Sequence, residues 1–309
     1  MSTQKTFLSI SLSGISLLSL VPYFDDTEYW ITDIASQFPF QYALAAFVLF
    51  VVCLYKKQIA FGVLAGLLTV FNLNTVIDIE KPIHAAGYVN DTFKVFSANI
   101  HKDNMELSAL KHEVQKIDPA ILLLLEVTPK QKDQLYPIIL TYPYHVENIF
   151  EGDLGFIFLS KFPVHQHHIS KLSKYGNSLL EARLEIKHRP VMFYGIHAQR
   201  PDRGDHSERK RQFFEPAKKI REHTLPAIVA GDFNTTPYSP VFRKFLNIAG
   251  LKDSREGFGW QPSWPTFFPP LWIPIDHVLV THNIQVHKRT TGSYIGSDHY
   301  PVIAELLIN

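Results

Sequence analysis

The 309-residue sequence predicts an α/β fold of two packed β-sheets flanked by helices, a four-layer α/β/β/α sandwich, behind an N-terminal transmembrane helical region. The first observation is a segregation of charge. Of 30 Lys/Arg and 29 Asp/Glu, only three Lys and six Asp/Glu fall within residues 1–80, and all 15 His lie at or beyond His84. The second is the pattern after residue 91, where short apolar runs outnumber helix-like segments. Many strands with few helices between them suit two sheets better than one doubly wound parallel sheet. Composition removes other classes. A net charge of +1 provides no global basic field for nucleic acid. The 23 Phe, 13 Tyr and 4 Trp exclude low-complexity disorder, and a lone Cys53 excludes a disulfide framework or a Cys-based metal cluster.

Within residues 1–80, three runs carry no charge: Thr6–Phe24 (19 residues), Ala35–Tyr55 (21) and Gln58–Ile77 (20). Each is close to the roughly 20 residues that cross a bilayer core as a helix. The second and third are densely apolar. The first is diluted by Ser9, Ser11, Ser13, Ser16 and Ser19, and its alternative reading is a signal peptide with Lys5 as the basic start. Lys5 precedes the first run, and Lys56-Lys57 occupy the turn between the second and third. The other loop holds Asp25, Asp26, Glu28 and Asp33 with no Lys or Arg. Positive residues favour the cytoplasmic side, so the sequence places its C-terminal domain on the non-cytoplasmic side of a multi-pass membrane protein, whether or not the first run is cleaved.

Residues 81–91, with Pro82 and Gly87, read as a linker to a domain over 92–309. Phe93–Ile100 is an apolar-rich strand. Met105–Ile117 is an amphipathic helix with Asn104 as its N-cap, stopped by Asp118-Pro119. Ile121–Leu125, a continuous apolar run, is a strand covered on both faces. Further strands are expected at Phe156–Ser160, Leu179–Ile186, Val191–His197, Ala227–Ala230, Ile275–Val280 and Val302–Ile308. Helices are expected at Ser207–His223 and Val241–Ala249.

Polar residues gather where these apolar runs stop, which is where a rigid scaffold exposes reactive groups. Asn99 ends the first strand, Glu126 follows Ile121–Leu125, and His197 ends Val191–Ile196. Asp232 and Asn234 follow Ile228–Gly231. Asp276-His277 open one strand, and Ser297-Asp-His299 precede the last. Any one of these alone reads as a cap or a turn. Their occurrence together in one domain points to a reactive centre.

The pieces Ser97-Ala-Asn99, Leu124-Leu-Glu126, Gly195-Ile-His197, Gly231-Asp-Phe-Asn234, Ile275-Asp-His-Val278 and Ser297-Asp-His299 resemble, in order, the endonuclease/exonuclease/phosphatase superfamily of metal-dependent phosphoesterases. Ser263-Trp-Pro-Thr266 and Ser297-Asp-His-Tyr-Pro301, with the N-terminal apolar runs, look like a bacterial membrane-anchored branch of it. The resemblance implies that Glu126 is the main ligand of Mg²⁺ or Mn²⁺, that Asn99 supports metal and phosphate, and that Asp298 assists the metal. It implies that Asp232 orients or deprotonates the attacking water and that Asn234 meets the developing charge. His299 would face the phosphate with Asp276 as its carboxylate partner, and His197 would be a second histidine. Some nucleases of the superfamily carry a carboxylate two residues after the Asn. Here that position is His101, which puts a second metal contact in doubt.

Other features admit two readings each. Arg200, Arg203, Arg209, Lys210 and Arg211 are a phosphate-recruiting rim, with Arg200 and Arg203 as substrate contacts, or a solvated face. Trp260, Trp264, Phe267, Phe268 and Trp272 stack on a base, dip into lipid, or pack the domain edge. His165-Gln-His167-His168 is a metal tract or a surface segment. The expected activity is hydrolysis of a phosphodiester or phosphomonoester, on nucleic acid or a phospholipid headgroup, by an enzyme whose other partner is the bilayer. No protein partner is expected. The alternative is a catalytically silent scaffold of the same fold.

Overall fold

The computed structural model describes residues 3–24, 30–77, 91–150, 153–173, 177–202 and 205–308. It divides into two compact units: Met1–Ile79 with Thr236–Arg243, and Glu80–Thr235 with Lys244–Asn309. The expected linker falls outside the described residues, apart from Asp91.

The first unit contains α1 (Thr3–Phe24), α2 (Trp30–Ala35), α3 (Pro39–Tyr55) and α4 (Ile59–Val76). Helices α1 and α4 are long and apolar enough to cross a membrane, whereas α3 has 17 residues. The run expected to begin at Ala35 therefore starts its helix later. Ser36 Oγ and Gln37 Nε2 donate to the Asp33 carbonyl and close α2, and Pro39 opens the new helix with its pre-set φ. The small residues Ala43, Ala46, Gly62 and Ala65 face inward, while Leu44, Phe47, Val48, Val51, Val63 and Leu67 face out. Asn72 Nδ2 donates to Ser19 Oγ (2.9 Å), joining α4 to α1.

The second unit holds two six-stranded mixed sheets. Its elements are β1 (Phe93–Asn99), α5 (Ser108–Ile117), β2 (Ile121–Leu125), α6 (Pro129–Ile139), β3 (Tyr144–Phe150), β4 (Asp153–Ser160), β5 (Val164–Lys171), β6 (Ser178–Ile186), β7 (Arg189–His197), α7 (His206–Glu222), β8 (Ala227–Asp232), α8 (Pro240–Ala249, shared with the first unit), β9 (Leu251–Asp253), β10 (Asp276–Thr281), β11 (Ile284–Thr291) and β12 (Val302–Ile308). One sheet runs β11-β12-β1-β2-β4-β3, the other β5-β6-β7-β8-β10-β9. Period-two alternation explains why β2 is apolar throughout. Ile121, Leu123 and Leu125 join Leu180, Phe193, Ala230 and Val278 of the facing sheet, whereas Leu122 and Leu124 pack under Leu110, Val114, Leu135 and Ile138 of α5 and α6. On the far side of the second sheet, Phe213 of α7 packs against Phe233 and Phe245, ring centroids 6.1 and 6.0 Å apart. Helix, sheet, sheet and helix make four layers.

One local expectation changes, and one helix was not expected. Helix α5 begins at Ser108, and Asn104 is not its cap; its Oδ1 instead accepts from Glu106 N and its Nδ2 donates to the Ile295 carbonyl, which ties a loop into the core. Helix α6 escapes sequence reading because Pro137 lies inside it, yet its start carries a reciprocal capping box between Thr128 and Gln131.

Candidate active site

Strand register assembles the site. Parallel pairing of β7 with β8 sets His197 opposite Asp232, and antiparallel pairing of β8 with β10 sets Asp276 opposite the same Asp232. Three polar residues thus lie in one row across one sheet. In the other sheet, β1 pairs with β2 so that Asn99 faces Leu125, and Glu126 is the next residue. The chain turns sharply here. Glu126, His101 and Asn234 take φ of +59°, +58° and +48°, left-handed conformations that cost a side chain energy and that collect at functional sites. Gly231, at φ +144°, is obligatory, because a Cβ there would lie 1.8 Å from the Ile196 carbonyl oxygen.

The side chains converge. Asn99 Nδ2 donates to Glu126 Oε1 (2.9 Å) and to Asp232 Oδ2 (3.1 Å), linking carboxylates from opposite sheets. Its Oδ1 accepts from His101 N, and Glu126 Oε2 accepts from Lys102 N. His197 Nε2 lies 3.8 Å from Glu126 Oε1 and 3.7 Å from Asp232 Oδ2. His299 Nδ1 is 2.8 Å from Asp276 Oδ2, so residues 23 positions apart meet. The other ring nitrogen, Nε2, is 3.9 Å from both Asp232 Oδ2 and Asp298 Oδ1.

Electrostatics separate the carboxyls. Burial pushes Asp232 upward and the neighbouring Asp276 charge adds to it, against the opposing pull of His299 and His197. Burial also works to raise Glu126, but the His197 charge, the Asn99 hydrogen bond, His299 and the Lys102 N–H outweigh it and hold the carboxyl low. Desolvation disfavours the charged form of His299, yet the Asp276 and Asp232 carboxylates overcome it and raise the imidazole to about 10. The site therefore combines a low carboxyl, a raised one and a cationic histidine.

One oxygen each from Asp232 and Asp276 and a nitrogen of His299 lie within 4.8 Å of one another, a grouping that could hold a metal ion. Asp276 Oδ1 is buried without a hydrogen-bond partner, as is Asp298 Oδ1. A protonated His299 is a poor ligand. The hard oxygens of Glu126, a carboxyl held low, better suit a hard divalent cation.

The remaining candidates fall in different places. Asn234 N donates to Asp232 Oδ1 while its Nδ2 donates to the Ala198 carbonyl and to Asp232 Oδ2, so this amide aims the Asp232 carboxylate. Asp298 Oδ2 accepts from Trp264 Nε1. Arg200 is exposed and forks onto Asp202, and Arg203 lies outside the described residues. Arg209 is buried rather than on a rim. Its guanidinium donates to the Gln199 and Asn234 carbonyls. The His165–His168 tract runs along the exposed strand β5, where His165 pairs with Glu185. Trp272 contacts Trp260 and Tyr300, while Phe267 and Phe268 point outward.

Two supporting serines lie within motifs quoted from the sequence, which gave them no role of their own. Ser263 Oγ accepts from Ile275 N and Asp276 N, and Ser297 Oγ donates to the Asn99 carbonyl while accepting from His299 N. Only the adjacency of these serines to Trp-Pro and Asp-His pointed to them.

The model of the Endonuclease/Exonuclease/phosphatase family matches residues 96–299. No curated protein matches the sequence. Solved structures do. A humanized D. rerio TDP2 is 19% identical with a TM-score of 0.59, the match covering 70% of this chain and 99% of that one. The mannosyl-6-phosphatase Bt3783 of Bacteroides thetaiotaomicron is 20% identical with a TM-score of 0.58, covering 70% and 100%. An endonuclease/exonuclease/phosphatase from Beutenbergia cavernae is 17% identical with a TM-score of 0.58, covering 71% and 72%. At these identities the neighbours establish the fold alone, but the family model spans the strands and turns from which the carboxylates and histidines project. On that match the chain belongs to the endonuclease/exonuclease/phosphatase family.

Proposed function

We propose that the protein is a membrane-anchored, Mg²⁺-dependent phosphoesterase whose catalytic domain lies on the non-cytoplasmic side of a multi-pass anchor. The observation that carries the reading is the buried Asp276–His299 pair beside two carboxylates bridged by Asn99. Glu126, with Asn99, would hold the cation, and Asp298 would assist. Bound there, Mg²⁺ or Mn²⁺ supplies neutralisation of phosphate charge. Asp232, its carboxyl raised, accepts a proton from the attacking water, and Asn234 keeps it aimed. His299, held cationic by Asp276, faces the phosphoryl oxygens as they gain charge. His197 sits between Glu126 and Asp232 and adds a further N–H donor.

A D. rerio TDP2 structure with a single-strand DNA product and the mannosyl-6-phosphatase support a phosphoester as substrate. Fold does not choose among esters. The full-length protein should be offered plasmid DNA, RNA, sphingomyelin and phosphoinositides with Mg²⁺ or Mn²⁺. Release of product from one class, abolished by EDTA, is the expected result. Silence on every ester would favour the scaffold reading.

The anchor has its own test. Lys5 and Lys56-Lys57 mark the cytoplasmic ends, so alkaline phosphatase fused after Asn309 should be active. An inactive fusion, with a fluorescent protein glowing at the same position, would overturn the orientation.

A further inference from the structure

His277 follows Asp276 on β10 and is wholly buried. Its Nε2 donates to the carbonyl of Thr235 (2.9 Å), the residue after Asn234. Its Nδ1 lies 3.5 Å from Asp253 Oδ2, on the neighbouring strand β9. Asp253 is buried, and its Oδ1 accepts from Arg255 N (2.9 Å) while Arg255 Nε stands 3.6 Å from Oδ2. Burial would raise this carboxyl. The nearby His277 ring, with the charges of Arg255 and Arg289, holds it well below the usual carboxylate range instead.

A polar ring and a carboxylate placed in a core are costly unless each finds polar partners there. Here the ring lies edge-to-face with Phe233, centroids 5.5 Å apart, a contact any aromatic residue would supply. What an apolar ring would not supply is the bond to Thr235. That bond falls where it matters, because Asn234 takes a left-handed φ of +48° and its backbone N–H and side chain both hold Asp232. The carbonyl of Asn234 is held from another side by Arg209. The turn is thus pinned at successive carbonyls, and the Asp232 carboxylate is aimed by the turn.

We propose that His277, itself oriented by Asp253, is a positioning residue that fixes the Asp232–Thr235 turn and so the aim of Asp232 and Asn234 at the phosphoester. The proposal rests on the phosphoesterase reading of the site. A displacement on the order of 1 Å in such a group is enough to cost about 10²-fold in rate.

The test measures kcat and KM of the full-length protein on bis(p-nitrophenyl) phosphate with Mg²⁺, alongside thermal melting. In folded His277→Phe, kcat should fall about 10–10²-fold with KM unchanged. His277→Gln, whose amide can still donate to the Thr235 carbonyl, should recover most of the loss. With Asn234→Ala already present, His277→Phe should cost only about threefold more, since both act through one turn. Asp253→Asn should lower kcat in the same direction, and it carries the test if His277→Phe does not fold. A folded His277→Phe or Asp253→Asn with wild-type kcat overturns the proposal. So does an equal loss in both Asn234 backgrounds, and so does failure of both variants to fold, which would make the pair structural only. A wild-type protein without turnover on any ester overturns the phosphoesterase reading itself and is told apart by that.

Discussion

Glu126→Gln is expected to lower turnover by about 10³-fold while leaving the protein folded, the scale on which weakening the hold on a charge-neutralising cation is felt. The substitution keeps the side chain's volume and removes a full negative charge. It also sets an amide against two donors, because Oε1 accepts from Asn99 Nδ2 and Oε2 from Lys102 N. One of those bonds must be lost, at a stability cost of about 1–3 kcal/mol. That is a small shift in melting against a large loss in rate. Rates measured across a Mg²⁺ titration, with melting curves of the same samples, separate the two effects. A variant with wild-type rate and wild-type Mg²⁺ dependence would remove Glu126 from the cation site.

The second large effect joins Asp276 to His299. Because their 2.8 Å contact makes one unit of them, the losses should not multiply. His299→Ala should lose about 10²–10⁴-fold in kcat/KM, Asp276→Asn somewhat less, and the double variant about what His299→Ala loses alone. The pH profile adds a sign. The carboxylates hold the imidazole at about 10, so in the wild type the cation persists through neutral pH and is lost only as pH rises toward that value. Asp276→Asn removes the nearest carboxylate and should draw the alkaline limb down toward the ordinary histidine range near 6.5. If Asp276 only shaped a turn, its change would move the melting temperature and leave the alkaline limb in place. Multiplicative losses from the two single changes would also sink the pairing.

Much of the fold was legible because burial writes itself into sequence. Ile121–Leu125 is apolar at every position because both of its faces are covered, and no solvated strand would be. The ends of such runs, at Asn99, Glu126, His197 and Asp232, marked where polar groups emerge. Strand β5 was unreadable as a strand, since it is an exposed edge carrying His165, His167 and His168. Helix α6 was hidden by its internal Pro137. Arg209 was misleading for a related reason. Within a basic helix a cation reads as solvated, and nothing local reports that two backbone carbonyls wait for it in the core.

The sequence by itself determined the division into an apolar, charge-poor N-terminal region and a mixed domain, the sandwich class, and the residue types available for phosphoester chemistry. These follow from composition and period, which any short window displays. Tertiary structure decided which of those residues meet. Asp276 finds His299 across 23 positions, one amide of Asn99 bridges Glu126 and Asp232 from two sheets, and His277 reaches the Thr235 carbonyl 42 positions away. Such contacts depend on strand register and on left-handed turns at Glu126 and Asn234, and those are set by the whole packed core rather than by any local run of residues.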